Sequence, residues 1–193
     1  MKIVFVTNNK NKIKEIKPLL NSRTNILSLN DINCLDDIPE TSDSLQGNAF
    51  LKANFVNQNY KYDCFADDTG LFIDALNGEP GIYSARYAGE DGNSQKNIKK
   101  VLKKLKNIEN REAHFTTIIS LILKNKQYFF KGSVYGKISK TIMGNDGFGY
   151  DPIFIPNGYD ISFAQMTLSE KNKISHRATA TKKLIEFFNS LEL

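Results

Sequence analysis

An α/β chain of mixed connectivity is the fold class that this sequence predicts, on three observations. A β-rich apolar run, Ile3 to Val6, passes through Thr7-Asn8-Asn9 into Ile13, Ile16, Leu19 and Leu20 at helical spacing. Two runs rich in β-branched and aromatic residues, Phe115 to Leu123 and Tyr128 to Tyr135, adjoin across the polar Lys124-Asn125-Lys126-Gln127. Amphipathic helical patterns stand on both sides of that pair, with no internal repeat and no linker between them.

Taken in order, Ile3 to Val6 reads as a strand feeding a turn and a helix. Residues 31 to 48 carry Asp36, Asp37, Glu40 and Asp43 and read as a loop, after which Ala49 to Asn57 resumes a helix. Cys64-Phe65-Ala66 reads as a buried strand ending in a turn at Asp67-Asp68-Thr69-Gly70, because Asp and Gly favour turns. Gly78-Glu79-Pro80-Gly81 is a further turn. Ile98, Val101, Leu102, Leu105 and Ile108 make residues 94 to 108 an amphipathic helix whose lysines form a solvated face. The two long strands then read as a hairpin. Ala180, Leu184, Phe187, Phe188 and Leu191 give a final helix, with Ser175 suited to its N-cap.

Composition bounds the function. With 193 residues, 40% hydrophobic and 24% charged, the chain is an ordinary globular protein expected to form one folding unit over residues 1–193. A formal charge of +5 favours anionic partners without separating nucleotides from nucleic acid. Cys34 and Cys64 lack CxxC spacing and fit a reduced, cytoplasmic setting. The apolar run at Met1 to Val6 is too short for a signal-peptide core, and Ile118 to Leu123 is too short to span a bilayer, so no membrane association is expected.

Four segments can carry chemistry. Thr7-Asn8-Asn9-Lys10-Asn11-Lys12 lies where a strand feeds a helix, so backbone N–H groups and the Lys12 charge can face an anion, although local chemistry alone favours a solvent-exposed Asn-rich turn. The pair Asp67 and Asp68 suits a hard divalent cation, which takes oxygen ligands. Successive side chains of an extended strand point to opposite faces, so the two cannot share one ion unaided. Local chemistry leaves Asp36, Asp37, Glu40 and Asp43 equivalent as the outside partner. In Gly144 to Pro152 glycines alternate with aromatics, as in a loop that stacks a ring on a planar ligand. Lys171, His176 and Arg177 can donate to a keto oxygen and so favour a 6-keto purine over adenine; His176 alone also reads as a cap or surface residue.

Together Val6 to Lys12, Ala66 to Leu71 with Pro80 to Tyr87, Gly147 to Pro152 and Glu170 to Arg177 resemble the Ham1/RdgB family of inosine triphosphate pyrophosphatases, in that family's order and across nearly the whole chain. The resemblance implies an elongated mixed β-sheet with flanking helices, two lobes around a central cleft, and a homodimer. It implies Mg²⁺-dependent hydrolysis of ITP, dITP and XTP to the monophosphate and pyrophosphate, with no nucleic-acid partner. By position, Thr7, Asn8, Asn9, Lys10, Asn11, Lys12 and Lys52 would meet the triphosphate. Glu40 and Asp68 would hold the metal, with Asp68 as proton acceptor and Asp67 in close support. Thr69 would touch the substrate; Phe148, Gly149, Tyr150, Asp151, Lys171, His176 and Arg177 would form the base pocket.

Three positions depart from the pattern. Asn8 stands for a common Gly, Thr69 for Ser, and Gly47 for a frequent Glu, which leaves more of the metal to Glu40. The competing readings are a Maf-like pyrophosphatase of the septum-formation-inhibitor type with other base specificity, a nucleotide sensor without turnover, and a basic RNA-binding module using the lysines of residues 96 to 106.

Overall fold

The computed structural model describes residues 1–20, 24–89 and 92–191. Its regular elements are β1 (Lys2–Phe5), α1 (Lys10–Ile16), β2 (Asn25–Leu27), α2 (Leu45–Tyr60), β3 (Cys64–Ile73) and β4 (Pro80–Gly81), then α3 (Ser94–Lys104), β5 (Glu112–Leu123), β6 (Lys126–Ile138), β7 (Phe154–Pro156), α4 (Leu168–Ile174) and α5 (His176–Ser190). The strands form a seven-stranded sheet in the order β2-β1-β3-β5-β6-β7, with β4 paired to β3. β1 runs parallel to β2 and β3, whereas β4 and β7 run antiparallel to β3 and β6. A mixed sheet with flanking helices is therefore the α/β architecture the sequence predicts.

The chain divides into two compact units: Met1–Asp68 with Thr117–Gly132 and Arg177–Leu193, and Thr69–Thr116 with Ser133–His176. In the first, β1 is buried on both faces, which is why it reads as an unbroken apolar run. Ile3 and Phe5 join Phe65, Ile119 and Leu121 under Ala180, Leu184 and Phe188 of α5. Val4 and Val6 turn the other way, to Ala53 and Val56 of α2 with Cys64 and Ala66. In the second unit Ile98 and Val101 of α3, with Leu105 just past its end, pack on Leu71, Ile73, Phe115 and Phe154. Full burial of such side chains contributes roughly 1.5–3 kcal/mol each, and surface ion pairs about 0–1 kcal/mol, so apolar packing holds the helices in place. The α3 lysines Lys96, Lys99, Lys100 and Lys103 are exposed, as a solvated face requires.

The largest departure from the sequence reading is at Asp67-Asp68-Thr69-Gly70, which is no turn: β3 continues straight through it to Ile73. Leu71, Phe72 and Ile73 supply strand-forming residues beyond the acidic pair, and Gly70 answers to β4. A Cβ on Gly70 would stand 2.7 Å from the Gly81 carbonyl oxygen, so the glycine permits close strand approach rather than a reversal. Other boundaries shift for local reasons. α2 begins at Leu45, four residues before the expected Ala49, because Ser44 caps it by accepting from Gly47 N–H at 3.1 Å. α3 stops at Lys104 rather than at residue 108, and Asn107 beyond it takes a left-handed φ of 66°. The hairpin turn needs only Lys124 and Asn125, both with positive φ (48° and 61°), the backbone of a tight two-residue turn. α5 starts at His176, after the single residue Ser175 that follows α4.

Candidate active site

In the first unit, β3 carries Asp67 fully buried. Lys12 Nζ donates to Asp67 Oδ1 at 2.9 Å and Arg177 Nε donates to Oδ2 at 3.3 Å. The same guanidinium, through Nη1, makes a close ion pair with Glu15 of α1, so four charges of alternating sign stand in a row, three of them buried and Lys12 half-buried. Burial alone would raise the Asp67 pKa. Lys12, Arg177 and Lys52 outweigh it and hold the carboxyl well below the ordinary carboxylate range. Asp67 is an ion gripped at both oxygens.

Asp68, next along the strand, has different neighbours, as alternation demands. It is 8% exposed, and its Oδ2 accepts from Asn48 Nδ2 at 3.3 Å. One helical turn beyond Asn48, Lys52 donates to the Asp67 carbonyl oxygen at 2.8 Å and pairs closely with Glu40. Burial pulls the Lys52 ammonium pKa down, but Asp68, Glu40 and Asp67 outweigh that and raise it. A cation thus already stands among carboxylate and carbonyl oxygens, and these hard donors fit Mg²⁺ rather than a thiolate-seeking metal. Among the described residues no three His, Cys, Asp or Glu side chains gather as a ready-made metal cage.

The segment Thr7 to Lys12 opens α1. Asn9 Oδ1 accepts from the N–H groups of Asn11 at 2.9 Å and Lys12 at 3.3 Å, and Thr7 Oγ1 accepts from Asn9 N–H at 3.1 Å. Two of the helix-start N–H groups therefore serve the cap, while Asn8, Lys10 and Asn11 are exposed. Gly47, expected to differ from a frequent Glu, faces Ser42: a Cβ there would fall 1.9 Å from the Ser42 hydroxyl. The side chain of a Glu has no room unless that serine moves.

In the second unit, Asp151 and Lys171 form a buried pair. Lys171 Nζ donates to Asp151 Oδ2 at 2.6 Å, and the same oxygen accepts from Phe148 N–H at 2.8 Å. The Lys171 ammonium lies 5.2 Å from the Phe148 ring centroid and 5.3 Å from that of Phe163. Gly147, at φ +75°, is required there because a Cβ would sit 2.2 Å from Asp151 Oδ2. Tyr150 is buried and donates to the Ser84 carbonyl at 2.9 Å, and Gly149 is half-buried beside it. His176 is buried and stacks on Phe115 with centroids 4.6 Å apart. Thr69 is half-buried. His114, read as structural, lies between Phe72 and Tyr135 at 5.1 and 5.2 Å.

The fold thus brings together Lys12, Glu40, Lys52, Asp67, Asp68 and Arg177 in one unit, and Phe148, Asp151 and Lys171 in the other. Arg177, expected beside the base-pocket residues, has its guanidinium on Asp67 and Glu15. Sequence reasoning missed Glu15 and Asn48. Both had a signal: Glu15 is three residues from Lys12 and Asn48 four from Lys52, the spacings that put side chains on one helix face.

Fold and side-chain chemistry define an α/β protein with a carboxylate and lysine centre of the kind that suits a phosphate-bearing anion together with a hard cation. A sequence profile of the Ham1 family matches residues 3–187. The dITP/XTP pyrophosphatase of Flavobacterium johnsoniae is 56% identical over 190 residues, covering 98% of this chain and 99% of its own. Among solved structures, the Staphylococcus aureus Ham1 protein matches with a TM-score of 0.90 at 38% identity, covering 98% of both chains. A HAM1 protein from Coxiella burnetii matches with a TM-score of 0.91 at 32% identity, covering 99% of this chain and 100% of that one. This chain belongs to the Ham1 family.

Proposed function

We propose that the chain is a nucleoside triphosphate pyrophosphatase that hydrolyses ITP, dITP and XTP to the monophosphate and pyrophosphate, removing deaminated purines from the nucleotide pool. The observation that carries it is the centre in which Lys52 stands among Glu40, Asp67 and Asp68, and the 56% identical relative is named a dITP/XTP pyrophosphatase. Glu40 and Asp68 would hold Mg²⁺, which neutralises phosphate charge and lowers the pKa of a bound water.

The chain's own groups divide the remaining work. Asp67, pinned as an ion by Lys12 and Arg177, is a poor proton acceptor and serves as the fixed anchor for those cations. Asp68 takes the proton of the attacking water as the bond between the α- and β-phosphates breaks and pyrophosphate leaves. No covalent intermediate is required. Lys10, Lys12 and Lys52, with Thr7, Asn8, Asn9 and Asn11, meet the phosphates, and Thr69 contacts the substrate beside them. Lys171, oriented by Asp151, donates to the 6-keto oxygen that adenine lacks, with His176 as a second donor and Phe148 stacking on the base. Gly149 and Tyr150 shape that pocket, and we assign Arg177 to holding Asp67. The cytoplasmic setting read from the cysteines and the short apolar runs and the homodimer implied by the resemblance belong to the same proposal; no helix among the described residues is long and apolar enough to cross a membrane.

Pyrophosphate release from ITP and from ATP, measured side by side with and without Mg²⁺, tests this reading. Release that needs Mg²⁺ and favours ITP in kcat/KM is expected. Binding without release would make the protein a sensor, and equal rates on both nucleotides would remove the base discrimination.

A further inference from the structure

Asn48 is 1% exposed in the first turn of α2. Its Oδ1 accepts from the Ser42 backbone N–H at 2.9 Å, and its Nδ2 donates to Asp68 Oδ2 at 3.3 Å. The amide has one orientation that satisfies both, since a backbone N–H only donates and a carboxylate only accepts. Ser42 is two residues past Glu40, so one side chain fixes both the backbone that carries Glu40 and the carboxylate of Asp68. Gly47 reinforces the arrangement: the space a Cβ would take is filled by the Ser42 hydroxyl, which seats this loop on the first turn of α2. Lys52, on the same helix face one turn later, reaches Glu40 itself.

We propose that Asn48 is a positioning residue that sets the separation of the Glu40 and Asp68 carboxylates and thereby the affinity of the divalent-cation site. The inference rests on the reading of Glu40 and Asp68 as the metal-holding pair. Mg²⁺ demands near-ideal octahedral geometry, so a site with two protein carboxylates depends on how well they are spaced. Partners that orient ligands, without touching the metal, change affinity by roughly 10–100-fold.

Titration of the nucleotide-free protein with Mn²⁺, followed by calorimetry, tests this without reference to turnover. Asn48→Ala is expected to weaken Mn²⁺ binding roughly 10–100-fold. Asn48→Asp keeps the acceptor for Ser42 and nearly the same shape, but it cannot donate to Asp68 and places a like charge beside it. It too should bind Mn²⁺ more weakly, although the added charge by itself would tighten binding, and it keeps the test decisive if the alanine variant fails to fold. Glu40→Gln separates the two levels. If Glu40→Gln weakens Mn²⁺ binding while both Asn48 variants stay within about twofold of the unaltered chain, or bind more tightly, the inference is overturned and the metal reading stands. If Glu40→Gln and Asp68→Asn leave Mn²⁺ binding unchanged, the metal reading falls and takes the inference with it.

Discussion

The carboxylate and lysine centre of the first unit and the Asp151–Lys171 group of the second use the same chemistry at different densities. In the first, Lys12 and Arg177 grip Asp67 and Lys52 bridges toward Glu40, so Lys12, Lys52 and Asp67 each have several charged neighbours. In the second, Lys171 meets Asp151, each side chain 4% exposed, beside the Phe148 ring. A dense centre can tolerate a highly charged ligand, because each added charge meets several existing ones. A buried pair held in one geometry is suited to discrimination instead: its donor has a fixed direction, and a ligand that cannot accept leaves it partly unsatisfied. The contrast suggests that turnover belongs to the first region and base choice to the second.

The hardest test of that division is Asp68→Asn, which keeps the shape and the Asn48 contact but removes the proton acceptor. Turnover on ITP is expected to fall roughly 10²–10⁴-fold with the thermal midpoint nearly unchanged, as read by pyrophosphate release and melting. Release near the unaltered rate would place the base elsewhere. Lys171→Met should act on choice rather than rate. The ITP-over-ATP ratio of kcat/KM is expected to drop about 10–100-fold, or about 1.4–2.7 kcal/mol, while turnover on ITP survives far better than in Asp68→Asn. Equal suppression of both nucleotides would dissolve the comparison.

The smallest effect concerns the start of α4, the helix that carries Lys171. Glu170 accepts from the N–H of Thr167 at 2.8 Å, and that contact, with the Thr167 hydroxyl, lowers its pKa. A carboxyl depressed in the folded state adds stability above its ordinary range near pH 4 and loses it as pH falls through the depressed value. Denaturation midpoints of Glu170→Gln should therefore lie slightly below those of the unaltered chain at neutral pH, with the gap closing in acid. A gap that stays constant down to pH ~3 would show that the Glu170 charge contributes nothing.

The α/β class, the first strand and helix, the long hairpin and the last helix were legible in the sequence, because apolar periodicity survives any tertiary context. β2, β4, β7 and α4 were not, since two to seven residues hold too little pattern to read. The Asp67 to Gly70 stretch was misread for a sharper reason. Local propensity favours a turn there, but Lys12 and Arg177 neutralise one carboxylate and β4 fills the space at Gly70, so tertiary contacts keep the strand extended. The choice of Glu40 over its acidic neighbours came only with the family resemblance. Spacing could have placed Glu15 on the Lys12 face of the helix but not beside Arg177, because a partner 162 residues away is invisible to local spacing.

That distance has a consequence for how the protein is made. Arg177 lies 110 residues beyond Asp67 and 162 beyond Glu15 in the chain. A ribosome working from the N-terminus delivers both acids, and the Lys12 partner of Asp67, long before the guanidinium the two acids share. The centre is closed by a helix made after both acids, so a nascent chain halted before α5 would hold the lysines and the carboxylates yet not the clamp that locks them. Emergence of α5 is in effect a checkpoint on this centre, built from sequence separation alone.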